Sequence, residues 1–159
     1  RPATAVRLAD RAVDAGVTVS VDPGRRIGDR DFGGAVDRAD VVFLNEREAS
    51  TAMDRHLGDD DDLDRVVVVK RGAGGAEVLT PTGERAGHDG FDVEAVDTTG
   101  AGDAFAAGFL AVVAGEDRPA YDRALAVGNA CGALAARERG ARVRLDWDAV
   151  ESLVGEPVR

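Results

Sequence analysis

Apolar residues recur at helical spacing over residues 3–15, where Ala5, Leu8, Ala9, Ala12 and Val13 mark one face. Gly16 is placed to end that helix. Val17 to Val21 is a short β-branched run, read as a buried strand, and Asp22-Pro23-Gly24 closes it with turn residues. A polar loop, Arg25 to Gly34, and a weak helical turn, Val36 to Ala39, follow. Val41 to Leu44 is a second apolar strand. Asn45 is placed to cap a helix running to about Leu57. Arg65 to Lys70 predicts a third strand, Arg71 to Gly75 a glycine-rich turn, and Ala76 to Leu79 a returning strand that ends at Pro81-Thr82-Gly83. Glu84 to Val96 holds one or two short strands. Helices are predicted over Gly102 to Ala114, Tyr121 to Arg137 and, from about Asp146, Trp147 to Leu153.

This alternation predicts an α/β fold: a doubly wound, mostly parallel sheet with helices on both faces, in three layers. Ligands of such sheets bind beyond the carboxyl ends of the strands. Asp22 to Arg26, Asn45, Lys70 to Gly75 and Asp97 to Asp103 all fall at such ends. No internal repeat, linker or second domain is visible in the pattern.

Composition sharpens this in three ways. With 159 residues, 44% of them hydrophobic, the chain can bury a core, but 4% aromatics means Ala, Val and Leu must build it. The net charge of -10 is expected to repel nucleic acid and anionic membranes. Lys70 is the only lysine among the 20 basic residues, and this Asp- and Arg-rich balance suits a salt-adapted (halophilic) cytoplasm or simply a GC-rich genome. The acidic block Asp59 to Asp62 reads as a solvated loop. Cys131 lies among small helical residues and reads as packing, in keeping with a reducing, cytoplasmic setting. No apolar run spans a membrane. The chain opens on Arg1, inside a predicted helix, as expected of part of a longer protein.

The densest chemistry lies in Asp97-Thr98-Thr99-Gly100-Ala101-Gly102-Asp103. An extended run, a glycine turn and a helix start meet there. The first N–H groups of a helix lack internal partners and carry partial positive charge, so Gly100, Ala101 and Gly102 form a ready anion site. Asp103 places a carboxylate at its lip, which suits a base that takes a proton from a nucleophile attacking a phosphoryl group. The plainer alternative is a glycine turn followed by a first-turn helix acid.

The whole run from Asp97 to Leu110 resembles the C-terminal signature of the ribokinase-like (pfkB-type) sugar kinases. The resemblance implies ATP-dependent phosphorylation of a sugar or sugar-acid hydroxyl, with Asp103 as catalytic base facing the substrate. Other segments extend it. Asn45 and Glu48 resemble the family's Asn-x-x-Glu, which serves the phosphates and, through water, Mg2+; one carboxylate behind water suits that ion. Lys70-Arg71-Gly72-Ala73-Gly74-Gly75 looks like the nucleotide loop, with Lys70, Gly72 and Gly75 toward ATP; a lysine there is familiar from 2-keto-3-deoxygluconate kinases and fructokinases. Asp22-Pro23-Gly24-Arg25-Arg26 resembles Asp-Pro-Asn-x-Arg, which makes Arg26 a substrate contact, with Gly24 departing from the pattern. Asn129 matches a position beside the adenine, where it could bond a purine edge or simply face solvent. The family also binds a potassium-like ion near Asp97, Thr99 and the Gly140-Ala141 loop. His56 and His88 have no partners at metal-ligand spacing and read as surface residues.

Residues 1–159 thus resemble the C-terminal, nucleotide-binding and phosphoryl-transfer portion of the family's fold, without its N-terminal part and lid. A homodimer is implied for the full-length parent. The alternative is a truncated, catalytically inactive nucleotide-binding fragment.

Overall fold

The computed structural model describes residues 2–24, 27, 33–58, 63–114, 116 and 119–158. Arg26 and the acidic block 59–62 lie outside them. The described residues fall into two units, one of residues 1–70 and 78–85, the other of residues 71–77 and 86–159.

In the first unit, the parallel strands β1 (Ser20–Val21), β2 (Val41–Asn45) and β3 (Val66–Lys70) carry the apolar runs. The register pairs Val21 with Val42, Phe43 with Val68 and Asn45 with Lys70. Val42, Leu44, Val67 and Val69 share one face and form a core with Ala9 of α1 (Pro2–Asp14), Val36 of α2 (Gly33–Val36) and Ala52 of α3 (Glu46–Ala52). Phe43 and Val68, of opposite parity, are buried as well. Strands covered on both faces explain why these runs show no alternation. Complete burial of one such side chain is worth about 1.5–3 kcal/mol.

The first strand is shorter than its β-branched run predicts. Val17 N–H returns to Ala12 O at 2.9 Å to close α1, and Val19 N–H donates to Asp40 Oδ2 at 2.7 Å. Those donors serve turns, so only Ser20 and Val21 join the ladder. The predicted helix to Leu57 changes winding after Ala52: Met53–Leu57 is a π-type turn that Gly58 N–H closes on Met53 O at 3.1 Å.

Among the described residues the sheet order is β1-β2-β3-β4-β5, with β4 at Ala76–Leu79 and β5 at Arg85–His88. Residues 71–75 join β3 to β4, and Arg71 N–H bonds Gly75 O at 2.8 Å. So short a connection makes an antiparallel hairpin, because parallel neighbours need a crossover. The sheet is therefore mixed. The predicted Pro81-Thr82-Gly83 turn joins β4 to β5, pinned by Thr80, whose hydroxyl accepts from Glu84 N–H at 3.0 Å.

The second unit packs α4 (Ala101–Val113), α5 (Tyr121–Ala136) and α6 (Trp147–Val154). Glycines bring α4 and α5 together. A Cβ on Gly108 would lie 2.7 Å from Cys131 Sγ, one on Gly128 3.1 Å from the Phe105 ring, and one on Gly132 3.2 Å from Ala101 O. Val127, Ala130 and Cys131 of α5 form a core with Val150 of α6, against which Trp147 and Leu153 pack. Residues 92–96, read from sequence as extended strand, join no ladder. Val96 and Asp97 N–H both go to Ala136 O, at 2.8 and 3.1 Å, tying the segment to the end of α5.

Candidate functional site

In the first unit, the ends of the three parallel strands carry Asp22, Asn45 and Lys70. Asn45 caps α3: its Oδ1 accepts from Glu48 N–H at 2.9 Å, and Glu48 Oε2 accepts from Asn45 N–H at 2.9 Å. Both halves of this reciprocal box satisfy helix-start donors. Glu48 is 5% exposed. The capping role thus falls on the two side chains for which the family resemblance implies a phosphate-and-metal role. Lys70 donates to Asp22 Oδ2 at 2.6 Å, while Asp22 Oδ1 accepts from Gly24 N–H at 3.1 Å. The Lys70 ammonium also lies 5.9 Å from the centre of the Phe43 ring. Spacing in the sequence did not reveal the Asp22–Lys70 pair; only the parallel register carries β1 and β3 to either side of β2.

In the second unit, the glycine-rich loop separates two kinds of glycine. Gly72 has φ +58° and open space where a Cβ would point. Gly75 has φ +81°, and a Cβ there would lie 1.8 Å from His88 O and 2.5 Å from Gly90 N. The space a Cβ would take is thus filled by the protein's own backbone at Gly75 and open at Gly72. His88 is half-buried rather than a surface residue, and its Nδ1 accepts from Gly90 N–H at 2.9 Å. Arg71 pairs with Glu77 at 2.5 Å.

The Asp97–Asp103 segment does form a turn into a helix. Gly100, at φ +83°, is the residue before α4, and Ala104 N–H to Gly100 O is the first helical bond, at 2.9 Å. Ala101 N–H bonds Thr98 O at 3.2 Å, which leaves Gly102 and Asp103 N–H ahead of the helical ladder. Asp103 is exposed in the first turn. The space beside Gly100 is taken by Ala141, whose O would lie 2.9 Å from a Cβ. Asp97 fastens the same loop: its Oδ1 accepts from Thr99 N–H and its Oδ2 from Gly140 N–H, both at 2.9 Å. The Thr99 hydroxyl, then these two N–H groups, hold the Asp97 carboxyl below the usual carboxylate range. The Gly140-Ala141 loop and Asp97, named together from the sequence, are in contact. Asn129 is 7% exposed, and its Nδ2 donates to Leu125 O at 2.9 Å, one turn back. One of its two amide N–H donors is thus spent inside the helix, and the residue is buried rather than facing solvent.

Among the described residues no group of three or more His, Cys, Asp or Glu could cage a metal.

The pfkB family carbohydrate kinase model matches residues 3–148. The chain belongs to that family. It is similar, at 53% identity over 98% of its length, to the ATP-dependent ribose-1-phosphate kinase of Halopiger xanaduensis, of which it covers 52%. It is 36% identical to a fructokinase of Salmonella typhimurium over 71% of this chain and 40% of that one. The nucleoside kinase of Methanocaldococcus jannaschii, an archaeal member of the ribokinase family, superposes with a TM-score of 0.84 at 25% identity, covering 98% of this chain and 53% of that one. A Vibrio cholerae fructokinase solved with fructose, ADP and calcium gives 0.69 at 31% identity, over 84% and 49%. This pfkB-family chain spans about half the length of the curated relatives it matches. The fold is ribokinase-like α/β. The fructokinase likeness was anticipated from Lys70; the ribose-1-phosphate likeness was not. No helix among the described residues is long and apolar enough to cross a membrane.

Proposed function

We propose that this chain carries the nucleotide-binding and phosphoryl-transfer portion of a cytoplasmic, ATP-dependent kinase that phosphorylates a hydroxyl of a sugar or sugar phosphate, of the ribose 1-phosphate or fructose kind. The observation that carries the reading is the turn from Asp97 to Asp103 opening α4 in a member of the pfkB family. Asp103 takes the proton of the attacking hydroxyl. The N–H groups of Gly102 and Asp103 face developing negative charge at the helix start, where such donors stabilise a transferring phosphoryl group. Lys70 and the open backbone at Gly72 serve the nucleotide phosphates. Mg2+, when bound, supplies charge neutralisation on those phosphates, with Glu48 orienting its water. Asp97 holds the turn in shape. The Thr99 hydroxyl and the N–H groups of Thr99 and Gly140 take three of its roughly four lone-pair sites, which leaves about one for a potassium-like ion beside Thr99.

The test is phosphate transfer from ATP to ribose 1-phosphate, fructose, ribose and 2-keto-3-deoxygluconate, with and without Asp103→Asn in the full-length parent. Asn keeps the shape and loses the basicity, so turnover falls by about 10²–10⁴-fold while ATP affinity stays within a few-fold. Near-normal turnover of Asp103→Asn sinks the assignment. A second reading, nucleotide binding without turnover, draws on the chain spanning 52% of its ribose-1-phosphate kinase relative. It predicts that the isolated chain binds ATP and phosphorylates none of the four acceptors.

A further inference from the structure

We propose that Asp22 sets the nucleotide affinity of this protein by competing with phosphate for Lys70. The inference rests on the assignment of Lys70 to the nucleotide phosphates. Lys70 Nζ sits 2.6 Å from Asp22 Oδ2, and the two side chains are 15% and 33% exposed. Each residue ends one outer strand of the parallel trio, so the pair reaches across the end of β2. Phe43 shares the face of Lys70, since Phe43 pairs with Val68 and Asn45 with Lys70, and its ring lies beneath the ammonium. The partial burial preserves more of the attraction than a fully solvated pair keeps.

The carboxylate is not free to swing away. Its other oxygen accepts from Gly24 N–H and holds the Asp22-Pro23-Gly24 turn. The mobile partner is the lysine, a compact ammonium with three donors on a flexible stem. A phosphate approaching Lys70 therefore draws the ammonium off Asp22, or shares it, and in either case lies in the field of a fixed negative charge. The Phe43 ring gives the ammonium a resting place during the exchange. Asp22 thus acts as a brake on binding.

Because Lys70 is the only lysine, a chain labelled with 13Cε-lysine reports a single side-chain resonance. ATP is titrated into the unsubstituted chain, Asp22→Asn, Asp22→Ser, Lys70→Met and Asp22→Asn/Lys70→Met, reading affinity by calorimetry and the lysine signal by NMR. Asn and Ser both keep an oxygen for Gly24 N–H. Both are expected to shift the lysine signal in free protein and to bind ATP about tenfold tighter, a gain that shrinks in added salt. In the Lys70→Met background Asp22→Asn is expected to leave ATP affinity within two-fold. A gain through general loss of structure is not open to these variants, because unfolding weakens binding. Unchanged or weaker binding by both Asp22 variants, with Lys70→Met also weakened, overturns the brake and leaves the Lys70 assignment standing. Unchanged binding by Lys70→Met overturns the assignment itself, and the brake with it. The absence of ATP binding in all five chains overturns both.

Discussion

Substituting Gly75 by Ala is expected to damage the second unit far more than substituting Gly72, although the two glycines are three residues apart in one loop. Both have positive φ, +58° at Gly72 and +81° at Gly75, so Ala incurs about 1–2 kcal/mol of backbone strain at Gly72 and at least as much at Gly75, whose ψ of -138° lies outside the left-handed helical well. The difference lies in space. At Gly72 a new Cβ meets nothing within 4 Å; at Gly75 it would lie 1.8 Å from His88 O, 2.5 Å from Gly90 N and 2.6 Å from Asp89 C. Those are backbone atoms of a neighbouring segment, and they cannot rotate aside. Relieving the overlap adds about 1–3 kcal/mol, typical of overpacking. The expected cost is then about 2–5 kcal/mol at Gly75 against about 1–2 kcal/mol at Gly72. Urea unfolding read by the fluorescence of Trp147 isolates the effect. Trp147 is the only tryptophan and packs on the core of the second unit, so stepwise unfolding of two units does not blur the signal. With a slope of about 1–3 kcal/mol per M urea, the Gly75→Ala midpoint falls below that of Gly72→Ala by about 0.3–3 M. Equal midpoints refute the reasoning. They would mean that the 88–90 backbone yields freely, or that the loop does not rest on it in solution.

Three further outcomes are expected. Lys70→Ala weakens ATP binding more than Arg71→Ala, because the phosphate role is assigned to Lys70; equal losses by calorimetry count against that assignment. Burial pushes the Cys131 thiol up to about 11, so it resists alkylation at pH 8–9 until the chain unfolds. Its contribution to stability is complete below the unfolded thiol's range near 8.5 and is lost as pH rises from there toward 11; fast labelling of the native chain, or Cys131→Ala leaving that alkaline loss intact, argues otherwise. With a net charge of -10, molar KCl raises the thermal midpoint read at Trp147 by screening self-repulsion, and a flat or falling midpoint contradicts this.

Much of the architecture was legible wherever a local rule decided it. β2 and β3 are uninterrupted apolar runs because both their faces are covered, and Asn45 caps α3 as its residue type predicts. The glycine turn into α4 is also where the sequence placed it. Misreadings arose where a distant partner decides. Val17 and Val19 look like strand, but their N–H groups are drawn to Ala12 and Asp40. Residues 92–96 look extended, yet the end of α5 takes the N–H groups of Val96 and Asp97. The glycines at 75 and 100 suggested room for a ligand, while the neighbours that fill that room are 13 and 41 residues further along, at His88 and Ala141. Asn129 looked like a surface amide because helical spacing alone does not say how closely α4 lies against α5.

That closeness has a mechanical consequence. The carbonyl of Ala101, in the first turn of α4, rests where a methyl group on Gly132 would be, 3.2 Å from it. The position of the helix start is thus gauged from behind by a residue with no side chain. Any substitution at Gly132 can push the first turn in one direction only, away from α5, and carries the Gly102 and Asp103 donors with it. Phosphoryl transfer is sensitive to displacements far smaller than those that unfold a protein. Under the proposed function, residue 132 is therefore where the alignment of those donors can be disturbed from behind: a wedge of one carbon, set on the far side of a helix, acting on groups it never touches.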